Sequence, residues 1–162
     1  MRLVKENSIR GVFSPVMGLF VVLLALAPLL GHQMATGTIV NGVLMLSVVL
    51  FGLKNSLPLA AVPSLMAWCL HFLPANYYVA IVPIIISNLV LMLLFSAFYR
   101  YNYWVAIALA GFVKFICLFG FLFFLFPQTL GIASYLQLVT VLLGGFVSWS
   151  VGRFLNKPIE PN

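Results

Sequence analysis

The sequence predicts an all-α integral membrane protein of six transmembrane helices, with both termini on the cytoplasmic side. Three observations predict it. The 162 residues are 64% apolar and only 6% charged, whereas a soluble domain carries about a quarter charged residues. The apolar residues fall into six runs near the length that a membrane helix needs, about 20 residues at 1.5 Å each. The basic residues outside those runs all lie in alternate connections.

The runs are residues 12–31, 38–52, 56–72, 77–98, 104–126 and 132–152. The first follows Arg2, Lys5 and Arg10 as a signal peptide would, but it is too long for one. No small-x-small cleavage site follows it, so it reads as a retained helix. The second and third are short, and the third contains Pro58 and Pro63. None shows sustained polar/apolar alternation, which argues against a lipid-facing barrel. Helices then satisfy the backbone within the bilayer. The connections are brief and leave no room for a soluble domain. Residues 1–11 and 153–162 read as cytoplasmic tails flanking one membrane domain over 12–152.

Charge orients the helices. Arg2, Lys5 and Arg10 precede the first; Lys54 joins the second and third; Arg100 joins the fourth and fifth; Arg153 and Lys157 follow the sixth. The alternate loops, "HQMATG", "LPAN" and "PQTLG", hold no Lys, Arg, Asp or Glu. The positive-inside rule makes the basic side cytoplasmic. A five- or seven-helix count breaks this agreement. Trp104 and Trp149 then sit near the cytoplasmic interface and Trp68 near the outer one. The net charge of +6 follows from topology. No basic cluster with interleaved aromatics points to nucleic acid.

One cation interrupts a run. In "ALAGFVKFICLFGF", Lys114 lies about 15 Å into the fifth helix, near the midplane, where a lysine costs about 2.5–3.5 kcal/mol on insertion scales. The chain's two acids, Glu6 and Glu160, are in the tails. Of the helical neighbours Ala110, Gly111, Cys117 and Leu118, three are small, which turns this face toward other helices or a cavity. Lys114 then either meets an anionic ligand group such as a carboxylate, or snorkels to the cytoplasmic interface or bonds backbone carbonyls. Asn88 sits at similar depth, as a ligand contact or as glue between helices. Asn41 and Gln137 fall in the outer third of helices two and six. His32 and Gln33 occupy the first outer loop, and Trp68 and His71 close the third helix on that side. Together these residues favour a pocket that opens outward.

Small residues four apart, Ser14/Gly18, Ala106/Ala110 and Gly144/Ser148/Gly152, permit close helix approach. Cys69 and Cys117 lack metal-ligand or disulfide spacing and read as buried hydrophobes. No nucleotide loop, dinucleotide fingerprint, HExxH or Gly-x-Ser-x-Gly is present. No intramembrane Asp or Glu offers acid/base chemistry. The expectation is a non-enzyme with no cofactor or metal.

The stretch "ATGTIVNGVLMLSVVLFGLKNSLPLAAVPSLMAWCLHFLP" (35–74) resembles the substrate-binding S components of energy-coupling factor (ECF) transporters. A small-residue outer loop leads into an "NxxLxLxxxLxG"-like helix. A short cytoplasmic turn and a Gly/Ala/Pro-rich third helix, "LAAVPSLMA", follow. "VPIIISNLVLMLLFSAFYR" and "LAGFVKFICLF" resemble helices four and five of small S components. The pattern covers most of 12–152. The resemblance implies a six-helix bundle in the bacterial cytoplasmic membrane that binds a vitamin or similar micronutrient from outside. It also implies docking on an ECF transmembrane scaffold driven by two ATPases. Asn88, Lys114 and Gln137, with His32 and Gln33, occupy regions that match the family's ligand site. The family often docks through Ala-x-x-x-Ala in helix one, where this sequence has only Ser14/Gly18. The competing expectation is a non-transporting membrane scaffold or assembly factor of the rod-shape-determining type.

Overall fold

The computed structural model describes residues 15–71, 75–125 and 130–155. The tails, with both acids and Arg2, Lys5, Arg10 and Lys157, and most of "PQTLG" lie outside these residues. Among the described residues every regular element is helical. Four stretches are long and apolar enough to cross a membrane: Gln33–Phe51, Tyr78–Phe98, Tyr103–Phe124 and Tyr135–Phe154. The chain is thus an all-helical, multi-pass membrane protein. The described parts of the six expected runs form helices, but two are not single helices of spanning length.

The first run forms α1, Pro15–Leu26, and then tightens into a 3₁₀ turn, Ala27–Leu30. Pro28 has no N–H to continue the α-helical ladder. Gly31, at φ +63°, ends the segment in the left-handed region that glycine tolerates best. The second run is α2, Gln33–Phe51. It starts five residues before the expected 38, because "QMATG" has no residue that breaks a helix turn and continues the ladder. The connection between the first two runs is correspondingly shorter than expected. Gly52, at φ +79°, stops the helix.

The third run is broken into α3 (Leu53–Ser56), a 3₁₀ turn (Leu57–Ala60) and α4 (Val62–Cys69). Pro58 and Pro63 each sit in the first turn of a segment, where the missing N–H is tolerated. The remaining runs are regular: α5 (Ile81–Phe98), α6 (Tyr103–Leu125) and α7 (Leu130–Phe154). Asn102 Oδ1 caps α6 by accepting from the backbone N–H groups of Trp104 (3.0 Å) and Val105 (3.1 Å).

Cross-helix contacts fix the relative directions. Gly37 and Asn41 meet Thr140, while Gly42 meets Gly144, so α2 and α7 run the same way. Tyr103 donates to the Gly145 carbonyl (3.1 Å) and Phe115 packs on Tyr135 at the other end, so α6 opposes α7. Phe95 packs edge-on to Tyr103, and Lys114 reaches Asn88, so α5 opposes α6. The ends bearing Lys54, Arg100 and Arg153 therefore share one end of the bundle. There Trp104 packs on Trp149, and the Arg153 guanidinium lies 4.2 Å from the Trp149 ring centre.

The core runs through the middle of these helices: Leu24, Leu44, Met45, Leu91, Met92, Phe95, Ile107 and Val141 are fully buried. The crossing of α2 and α7 brings backbone against backbone. A Cβ on Gly144 would stand 2.7 Å from the Gly42 nitrogen and 2.8 Å from the Thr38 carbonyl oxygen. The expected small-residue faces on α6 and α7 are buried, with Ala106, Ala110 and Ser148 at 1% exposure or less. Gly18, by contrast, faces open space.

Candidate functional site

Lys114 is the twelfth residue of α6, halfway along it. It is 3% exposed and does not reach either end of the bundle. Its ammonium donates to Asn41 Oδ1 at 2.6 Å and to Asn88 Oδ1 at 2.7 Å. Both distances are at the short end for N–H···O bonds, as expected when the donor carries charge. No Asp or Glu occurs among the described residues. Two neutral amide oxygens thus replace the carboxylate that a buried lysine ordinarily requires. Of the alternatives to a ligand contact, Lys114 neither snorkels to an interface nor bonds backbone carbonyls; the carbonyls it bonds belong to side chains.

The two asparagines are themselves held. Asn41 Nδ2 donates to Thr140 Oγ1 (3.1 Å), whose own hydroxyl donates to the Gln137 carbonyl (2.9 Å). Asn88 Nδ2 donates to the Ala60 carbonyl (3.1 Å) in the 3₁₀ turn between α3 and α4. That carbonyl lies one turn before Pro63, whose missing N–H leaves the local ladder short of a donor. Each amide therefore has its oxygen aimed at the ammonium and its nitrogen pinned elsewhere. The arrangement resolves the Asn and Gln ambiguity of oxygen against nitrogen, since an ammonium can only donate. Asn88 joins helices, the second of the two roles expected for it, and does so by bonding Lys114 and the Ala60 carbonyl.

These residues close the inner end of a cavity of about 410 Å³, within the usual range for small-molecule sites. It is walled by the first halves of α2, α5 and α7, the second half of α6, and α4. It therefore occupies the end of the bundle opposite Lys54, Arg100 and Arg153. Gly31, His32 and Gln33 are exposed at its rim, whereas Asn41, Asn88 and Lys114 are buried at its base. Apolar walls come from Val40, Pro63, Ile84 and Leu118.

Six of the seven residues picked from the sequence line this one cavity: Lys114, Asn88, Asn41, Gln137, His32 and Gln33. The seventh, Trp68, does not. It is 46% exposed on α4, whose cavity face is taken by Pro63, Ser64 and Ala67. Asn41 is deeper than its expected position in the outer third. With α2 starting at Gln33, it becomes the ninth of 19 residues, level with the lysine. His32 and Gln33 are not both in a loop: Gln33 opens α2, and His32 is the residue before it. His71, two residues beyond the end of α4, pairs with Tyr78 (Nδ1···Oη 3.1 Å) away from the cavity.

Sequence reasoning missed Ser64, Thr36 and Thr140. Thr140 was legible only as a polar residue three positions after Gln137, a spacing that lets a hydroxyl bond back to the helix. Ser64 follows Pro63 inside an apolar run, and its significance depends on which way α4 faces. It is 5% exposed, lines the cavity, and its hydroxyl has no hydrogen-bond partner among the described residues. No family model matches the chain, and no curated protein or solved structure shows significant similarity to it.

Proposed function

We propose that the protein is the substrate-capture subunit of an ECF-type importer in the bacterial cytoplasmic membrane. It takes a small micronutrient, a vitamin or related compound, from the outer face. Its partners are a transmembrane scaffold and two ATPases that supply the driving force. In this reading the bundle has six spans, with α1 and the broken α3–α4 segment as the short first and third, and both termini are cytoplasmic. The shared end of Lys54, Arg100 and Arg153 supports that orientation under the positive-inside rule, and the cavity then opens outward.

The observation that carries the proposal is the buried ammonium at the base of a cavity, presented by residues of three different helices. Intramembrane charges are expensive and mark functional sites by default. A scaffold of the rod-shape-determining type accounts for the asparagine clamp as a helix joint, but it has no use for a polar-based cavity. The chain itself has no nucleotide-binding motif, so energy must come from partners.

The test is affinity purification of the tagged chain from its own membranes in mild detergent. The expected result is co-purification of one further membrane subunit and two nucleotide-binding ATPases. Recovery of the chain without ATPases, under conditions that preserve such assemblies, contradicts the importer reading.

A further inference from the structure

The chemistry of the cavity restricts what it takes. Resting on the capture reading, we propose that the occupant is a compact monoanion. One carboxylate meets the Lys114 ammonium, and one uncharged hydrogen-bonding group meets Ser64.

Lysine has three N–H donors. Two are committed to Asn41 and Asn88, and the described residues offer the third no acceptor. The cavity that Lys114 lines is where that acceptor must come from. A buried charge without a counter-charge is costly, and an anionic occupant removes that cost. Among the described residues no other Lys and no Arg lines the cavity, and His32 stands at its exposed rim, so at the buried base one negative charge is matched and a second is not. A phosphate monoester, with about 1.5 to 2 negative charges, leaves surplus charge at the buried base. A carboxylate does not.

Ser64 supplies the second restriction. A hydroxyl that is 95% buried normally finds a partner, and this one has none among the described residues. It faces the same cavity from α4, while the ammonium enters from α6. A ligand bearing both a carboxylate and a hydroxyl, carbonyl or amide satisfies both groups at once. At about 30 Å³ per water-sized position, 410 Å³ holds a molecule of roughly a dozen non-hydrogen atoms. Between the polar lining residues, Val40, Pro63, Ile84 and Leu118 supply apolar wall that suits a short hydrocarbon body.

The experiment uses the full chain in nanodiscs with a matched probe series: pentanoate, pentanamide, and the 4- and 5-hydroxypentanoates, at equal sodium concentration. Binding is read by thermal shift and by titration calorimetry. Pentanoate is expected to bind about tenfold or more tighter than pentanamide, the effect of one charge-assisted hydrogen bond. At least one hydroxy acid binds tighter still. Ser64→Ala removes the gain from the hydroxyl and preserves the gap between acid and amide. Lys114→Gln closes that gap. Equal affinity for acid and amide in the wild-type chain overturns the anion class, and this comparison needs no variant to fold. A hydroxyl gain that survives in Ser64→Ala overturns the role of Ser64. The result is separable from the partner test. Acid and amide binding alike in a chain that recovers its ATPases sinks only the ligand class. Acid preference in a chain without ATPases sinks only the importer.

Discussion

Replacing Asn88 with Leu is expected to destabilise the bundle by about 3 kcal/mol or more, the range seen when one partner of a buried charged interaction is removed. The ammonium of Lys114 keeps Asn41 Oδ1 and loses Asn88 Oδ1, with no carboxylate among the described residues to take its place. The Ala60 carbonyl loses its donor at the same time. Lys114→Met is expected to cost less, about 1–2 kcal/mol, because it removes the charge and leaves only neutral amide oxygens unmet. The combination is the informative case. Once the lysine is gone, Asn88→Leu strands no charge, and the double variant is expected to be less destabilised than the two singles sum to. A coupling of about 1–3 kcal/mol fits directly bonded neighbours. Reversible unfolding in mixed detergent micelles measures all three. Additive effects would show that the asparagine does not hold the lysine.

Gly144→Val is the second large effect. Its Cβ would approach the Gly42 nitrogen and the Thr38 carbonyl oxygen within 2.8 Å, and Asn41 Cβ within 3.0 Å. Two of these three atoms are backbone, so no rotamer change relieves the contact. Relief requires α2 and α7 to separate, at about 3 kcal/mol for an overpacked core position. Separation also moves Asn41 away from Lys114, so the cavity base is lost with the packing. Gly18→Val, with nothing within 4 Å of its Cβ, is the control and is expected to leave stability nearly unchanged. Equal unfolding midpoints for the two variants would contradict the close crossing.

Hydropathy placed the long helices within a few residues because their signal is continuous. The expected 77–98, 104–126 and 132–152 compare with α5, α6 and α7 at Ile81–Phe98, Tyr103–Leu125 and Leu130–Phe154. The start of α2 was not legible. Gln33, Thr36 and Gly37 look like loop residues in a polarity scan, yet none prevents a helix from extending. That five-residue shift is why Asn41 stood at the wrong depth on paper and beside the lysine in the fold. The breaks in the third run were foreshadowed by Pro58 and Pro63, but their consequence was not. They leave an exposed-end helix of eight residues whose cavity face carries Ser64 rather than Trp68.

The candidate site shows the same division. Residues that are anomalous in their surroundings, such as a lysine or an asparagine in an apolar run, announce themselves, because their burial costs free energy wherever they face. Which of them touch is a matter of helix rotation. The membrane-wide apolar surface blurs this, since both lipid-facing and core-facing sides are hydrophobic. Val16, Leu19, Val22 and Leu26 of α1 are exposed, although by composition they could equally be core. Thr140 and Ser64 escaped notice because a hydroxyl in a membrane helix bonds its own backbone without penalty. Thr140 does so and also accepts from Asn41. Ser64 does neither.

Lys114 is proposed to hold a small molecule at the base of this cavity. The most direct measurement is mass spectrometry of the compounds released on denaturing the gently purified chain, with Lys114→Gln purified in parallel from the same cells. One small anionic compound in stoichiometric amount is expected from the wild-type chain, with its loss from Lys114→Gln. Release of no compound from the wild-type chain, or equal retention of the same compound by Lys114→Gln, would contradict that role.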